Sequence, residues 1–339
     1  MMKNIILILT LSSTIVFAEQ MQLKLEYQKV NDTLDILNIK EKEFSDNKNL
    51  SSLGDMNGYT IDFKYPIQDN LRFNIMYNKM NLDYLGETLV NNKIDLNIRY
   101  KLKQINDYTF YIFAGYTQNK AEKIYITNIS AINENIKRVL PNKDISISAY
   151  GKSISYINSQ GVSSSTDLAI DPYVLIDDTY DKSYYIQSSV NYKNFNIYAG
   201  YKQIKISNYL DSSIAHEDND DIQNELNSGN SKASYDNTRD DAMLYIKFAY
   251  NFDYNKFHSN ISYEYTKMLR INCLEETNTN NIIDLDLLYD INNDISFYVG
   301  GKLMSNQFNG EIPYFYTSYT KTTFDHKYGY AKTGLIFKF

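Results

Sequence analysis

Tryptophan is absent from this chain, and cysteine occurs once, at Cys273. A single thiol excludes an internal disulfide framework and any zinc cluster built on cysteines. Only three histidines occur, His216, His258 and His326, so triad chemistry has few candidates. Glycine is modest at 13 and proline scarce at 4. No glycine-rich phosphate loop, zinc motif or nucleic-acid module appears. Past the N-terminus, no apolar run is long enough for a membrane-crossing helix. That last absence says nothing against strands, because strands that cross a membrane alternate and average out as polar.

What is present is aromatic and charged. The 339 residues include 33 Tyr and 16 Phe, with a formal net charge of −7. Tyrosine is amphipathic and suits a water–lipid boundary. The N-terminus, MMKNIILILTLSSTIVFAEQ, places Lys3 before the apolar run that begins at Ile5. Val16 and Ala18 are small residues at the −3 and −1 positions before Glu19. This is the pattern of a secretory signal peptide over residues 1–18, followed by one domain over 19–339. The lone cysteine lacks the context of a lipoprotein anchor.

Period-two alternation recurs along the whole remaining chain. It predicts strands over 21–29, 58–67, 70–79, 92–103, 107–118, 183–193, 194–206, 242–252, 256–270, 282–291, 295–305 and 327–339. A slip of phase near Gln203 predicts a bulge there. Short Asn/Asp-rich connections join alternate pairs at 68–70, 104–107, 193–194, 253–256 and 292–294, as tight hairpins require. The other connections are long: 30–57, 80–91, 119–182, 207–241, 271–281 and 306–326. Strict alternation of short and long puts all tight turns at one end and all long loops at the other. Tyrosines fall at both predicted strand ends. Tyr65, Tyr100, Tyr108 and Tyr192 lie near the tight turns, and Tyr59, Tyr77, Tyr116 and Tyr184 near the loops.

The chain ends on YAKTGLIFKF, an alternating strand with Leu335, Phe337 and Phe339 on one face. Lys332, Gly334, Phe337 and the terminal Phe339 resemble the C-terminal assembly signal of Gram-negative outer-membrane β-barrel proteins, the broad porin-like class. The resemblance implies an all-β, closed, up-and-down antiparallel transmembrane barrel in the outer membrane, with short periplasmic turns and long extracellular loops. It implies outer-membrane lipid and the barrel assembly machinery as partners, and no cofactor. The expected count is 12 strands, with 14 or 10 as alternatives. In lipid every backbone N–H and C=O must be paired, so such strands have to close on themselves.

The faces opposite the apolar ones are charged. Lys24, Lys64, Arg72, Lys93, Arg99, Lys101, Lys202, Lys247, Arg270, Lys302, Lys332 and Lys338 face inward with Glu26, Asp62, Asp95, Glu264, Asp284, Asp286 and Asp290. Twelve cations against seven anions make a modestly basic lumen. Small hydrophilic solutes are the expected cargo, with a modest anion preference set by Lys64, Arg72, Arg99, Lys101, Lys247, Arg270 and Lys302. The competing reading is a filled, non-conducting barrel that presents its loops for adhesion or envelope contact. About eight strands give a filled interior and 16–18 an open channel, and 12 lies between.

The loops carry two further features. In 119–182, Ile132, Ile136, Val139 and Leu140 have helical spacing before Pro141. The alternating stretches DISISAYGKSISYI and DLAIDPYVLI in the same loop form either a hairpin above the membrane or two more membrane strands. Between Asp211 and Asp241 lie nine acidic and two basic residues, an acidic solvated loop without the spacing of a calcium site. No metal site follows. Among barrel enzymes, omptin-like proteases use an Asp–His pair near the rim, for which Asp325 and His326 are the candidate. Phospholipase barrels need a lipid-facing His–Ser pair, whereas His258 falls on the inner face. The expectation is a barrel that is not an enzyme.

Overall fold

A computed structural model describes residues 20–30, 55–84, 87–139, 144–157, 160–217, 220, 222–223, 234–270, 279–305 and 328–339. The expected signal peptide, Cys273, Asp325, His326 and Pro141 lie outside these residues, as does most of the 30–57 and 306–326 loops. Sixteen strands are described. Twelve of them form the barrel: β1 (Gln22–Val30), β2 (Met56–Gln68), β3 (Leu71–Tyr84), β4 (Glu87–Ile105), β5 (Tyr108–Ala121), β10 (Val174–Tyr192), β11 (Phe195–Ser212), β12 (Tyr235–Tyr254), β13 (Phe257–Arg270), β14 (Thr279–Asp290), β15 (Ile295–Met304) and β16 (Tyr328–Lys338). Each pairs antiparallel with its neighbour, β5 with β10, and β16 closes on β1. The closing register runs from Gln22 opposite Lys338 to Lys29 opposite Ala331. No barrel strand is left with an unpaired edge, which is the condition for backbone to stand in hydrocarbon.

The period-two pattern explains the two faces. Leu25, Ile61, Ile98, Ile186, Ile197, Leu244, Ile261 and Leu287 all point outward and stay exposed. Aromatic pairs bracket this band. Tyr108 stacks on Tyr192 at 4.5 Å, and Phe195 and Phe257 meet Tyr250 and Tyr289 at the tight-turn end. Tyr116 meets Tyr184 at 5.1 Å and Tyr59 meets Tyr77 at 6.0 Å at the other end. Tyr184 and Tyr192 are eight residues apart. At about 3.4 Å per residue and a tilt of about 40°, that is roughly 20 Å, near the height of an apolar belt. The tight turns are as expected, and Asn106, Lys193 and Asn255 open three of them with φ of 51°, 49° and 54°. Left-handed backbone tolerates asparagine well and lysine less well.

Above the outer tyrosines the alternation continues but its polarity inverts. Inward positions become apolar: Val30, Met56, Met80, Leu82, Leu89, Ala121, Val174, Ile176 and Leu210 are buried together. This corrects the sequence reading at four places. Strand β3 runs to Tyr84 and β4 begins at Glu87, so most of the expected 80–91 loop is paired strand. Strand β10 begins at Val174 rather than 183, β11 ends at Ser212 rather than 206, and β12 begins at Tyr235 rather than 242. The expected bulge at Gln203 does not exist, since the register with β10 and β12 is continuous there. Ile204 and Ile206 are inward residues packed with Met243 and Met268. The slip in hydrophobicity was a change of solvent, not of register. The register does shift between Pro66 and Gln68, Lys101 and Lys103, and Asp177 and Tyr180.

The inverted wall holds a cap. It consists of β6 (Ile124–Ile126), α1 (Ile129–Val139) and a separate three-stranded sheet of β7 (Ser146–Ile147), β8 (Ser153–Ile157) and β9 (Ser163–Asp167). Asn128 caps α1, its Oδ1 accepting the Ala131 N–H at 3.2 Å. Helix α1 buries Ala131, Ile132 and Ile136 against Ile147, Ile154 and the barrel's upper wall. Asn133 ties helix to sheet through two bonds with the Ile147 backbone, at 2.6 and 2.7 Å. The DISISAYGKSISYI segment is therefore the hairpin above the membrane, and the strand count is 12.

Candidate functional site

The inner wall is layered. Lowest, near the tight turns, Arg72 and Arg99 are cross-strand neighbours, and Arg99 lies over the Tyr111 ring at 4.6 Å. Lys101 donates to Gln104 Oε1 at 3.0 Å, at the tight-turn rim. Lys64 is 3.6 Å from Asp62. Arg270 stands at the other end, in register with Asp241 at the end of β13, far from the other candidates along the strands. Just under the cap the wall becomes an arc of buried amides: Asn78 donates to Gln28 and Thr60, and Asn119 to Asp181.

Between these layers lies a polar chamber of about 300 Å³. Lys93, Lys202, Lys247 and Lys302 line it with Asp95, Glu264 and Asp284. The carboxylates are already engaged. Asp95 accepts from Thr117 at 2.7 Å, Asn97 at 2.9 Å and Tyr185 at 3.0 Å. Glu264 accepts from Thr266 at 3.3 Å. Lys332 reaches Asp284 at 2.6 Å and Asp286 at 2.8 Å. Among the described residues, Lys202 and Lys247 have no ion-pair or hydrogen-bond partner. Of the candidates named from the sequence, Lys247 and Lys302 are among the residues that line it. The sequence reading left Lys202 out of the candidate set although its parity put it on the inner face.

Sequence reasoning also missed what tyrosine does inside. Tyr185, Tyr245 and Tyr298 face the lumen, each directly opposite a glycine: Gly115, Gly200 and Gly334. A Cβ at any of these glycines would overlap the tyrosine ring. The hydroxyls donate to Asp95 at 3.0 Å, Gln187 at 2.9 Å and Glu26 at 2.6 Å. Tyr298 is 1% exposed, and Lys24 sits both 4.5 Å from its ring and 2.8 Å from Glu26. The readable signal was an inward-parity tyrosine paired in register with glycine.

The four residues of the C-terminal motif divide between the two faces. Lys332 and Gly334 point inward, to the aspartates and to Tyr298. Phe337 continues the outward face, and Phe339 is exposed, its N–H donating to the Met21 carbonyl at 3.0 Å. At the same end His258 lies on the inner face as expected, bonded to Asp253 at 2.7 Å and Asp290 at 2.9 Å. Asp290 also accepts from Ser296 and lies 3.4 Å from Lys338. These contacts fasten two turns together. Among the described residues no group of three or more His, Cys, Asp or Glu could hold a metal ion.

A closed 12-strand antiparallel barrel with a girdled apolar belt and a polar lumen is a transmembrane β-barrel of the outer-membrane type. No family model matches the chain, and no curated protein matches its sequence. Solved structures similar to it include the translocator domain of the autotransporter NalP from Neisseria meningitidis, at 8% identity and a TM-score of 0.47, covering all of this chain and 95% of that one. The NanC porin is similar at 8% identity and a TM-score of 0.44, covering 94% and 100%. Outer-membrane phospholipase A from Escherichia coli is similar at 10% identity and a TM-score of 0.37, covering 96% and 92%. Likenesses this distant carry nothing about cargo or activity.

Proposed function

We propose that this protein passes small hydrophilic solutes across the outer membrane, with a modest preference for anions. Lys202 and Lys247 carry the reading. Both ammonium groups face a polar chamber in which Asp95 and Asp284 are held by other donors, with Glu264 the cross-strand neighbour of Lys247. In a narrow lumen with low-dielectric walls such groups set the sign of the field. Arg72 and Arg99 extend the basic path toward the periplasm. The N-terminal segment directs export and is removed, and the C-terminal strand is read by the assembly machinery. The cap lies across the outer mouth, so flow depends on a path beside it or on its displacement.

That same cap favours a second reading: a non-conducting barrel that displays its outer sheet, where Tyr150 is 90% exposed. Single-channel recording of the refolded mature chain, under a salt gradient, separates the two. Discrete steps with an anion-selective reversal potential are expected, moving toward cation selectivity in K202Q/K247Q. A heat-modifiable, fully folded barrel that never gives steps overturns the channel reading in favour of the second.

A further inference from the structure

The polar chamber has an apolar side that its charges do not explain. Among the described residues that line it, Met243 and Ile282 carry apolar side chains. Met243 stands directly across from Lys202. Ile282 stands across from Glu264, which is itself across from Lys247. Each apolar group is thus one or two strands from an ammonium that has no ion-pair or hydrogen-bond partner among the described residues. Along β12 the lining reads Met243, Tyr245, Lys247: thioether, ring, ammonium. The two ends of that series lie roughly 13 Å apart at about 3.4 Å per residue.

Met243 is also the foot of an apolar layer. With Ile204, Ile206 and Met268 it forms a buried cluster separate from the core that holds the cap. Met268 stands across from Met243, and Ile204 is two residues beyond Lys202 on β11. Methionine is unbranched and repacks around guests of irregular shape. A hydrated inorganic anion gains nothing from such a wall. An organic anion gains twice, its head from an ammonium group and its body from Met243 and Ile282. Each methylene taken out of water strengthens binding about fourfold. The chamber's volume of about 300 Å³ is at the small end of ligand sites, which suits a short chain.

We propose, resting on the anion route described above, that this chamber is a binding site for small organic anions with one charged head and a short apolar body. Monocarboxylates of about four to six carbons fit that description. The head pairs with Lys202 or Lys247, and the chain lies on Met243 and Ile282. Inorganic anions pass through the same chamber and are held more weakly.

The test is equilibrium dialysis of labelled hexanoate against the refolded full mature chain in detergent, with protein-free micelles as the blank. Acetate, butyrate and hexanoate compete in turn. The concentration that displaces half of the label should fall about tenfold or more from acetate to hexanoate. Hexanol, which has the chain without the charge, should displace little. K202Q/K247Q should weaken hexanoate binding about fivefold or more. M243Q/I282Q should leave acetate unchanged and flatten the chain-length series, and M243L/I282V should restore the series. The native chain by itself decides the main point: equal displacement by acetate and hexanoate overturns the proposal. So does hexanol acting as well as hexanoate, or an unchanged series in M243Q/I282Q. Dialysis needs no conduction. A barrel that binds hexanoate but gives no steps loses the channel reading and keeps the site. One that conducts anions with a flat series keeps the channel reading and loses the site.

Discussion

Glycine at 334 is a matter of space. A Cβ there would overlap the Leu25 carbonyl oxygen and the Tyr298 ring, and the sheet backbone on both sides is fixed by ring closure. G334A should lower stability by about 1–3 kcal/mol, the usual cost of overpacking, read as a lower urea midpoint of refolded protein. Y298F removes the donor to Glu26 and keeps the ring, so about 1 kcal/mol is expected. Tyr173, between the cap and β10, gives a pH readout. Its hydroxyl is pushed up to about 12 by burial and by its bond to Asp211. Its folded value is raised, so its contribution to stability is full below its ordinary value of 10.0 and lost as pH climbs toward 12. Protease cleavage within the cap should therefore rise over that alkaline window, and Y173F should flatten the rise.

Single elements tell how much was legible. The twelve membrane strands were readable because lipid outside and polar lumen inside produce the simplest period-two signal. Their outer ends were not. At Ile204, Ile206, Met80 and Leu82 the alternation persists with its faces exchanged, because water replaces lipid outside and the cap replaces water inside. A reading that follows outward apolarity stops at that boundary, which is why β10 was entered nine residues late. Helix α1 was visible from its spacing at Ile132 and Ile136. Its role was not, because the wall it packs on comes from distant strands. Of the candidate cations, Lys247 and Lys302 line the chamber, while Lys101 and Arg270 sit at opposite rims, since parity fixes the face but not the height. The cap itself invites a test. Replacing residues 128–172 with a short Gly/Ser linker should leave the strand ring intact, because none of the barrel pairings uses that segment. Single-channel conductance should then rise severalfold.

At the scale of the whole molecule, closure and assembly use the same strand for different reasons. Strand β16 completes the ring with β1 and β15, and Phe339 adds little to that ring beyond one backbone bond. Changing Phe339 to Ala should leave refolding yield in detergent nearly unchanged. The amount of barrel reaching the outer membrane in cells should drop. Equal losses in both assays would mean that the residue acts on folding alone.

The two described ends of the chain meet at the tight-turn rim, where the Phe339 N–H bonds the Met21 carbonyl. A short peptide joining them would make the polypeptide circular, and cutting any long loop would then open it elsewhere. Such a circular permutant keeps every pairing of the ring but finishes on a different strand, with KTGLIFKF now internal. It would refold from denaturant as before. Whether cells could still insert it would say if their machinery recognises a sequence or merely a free last strand.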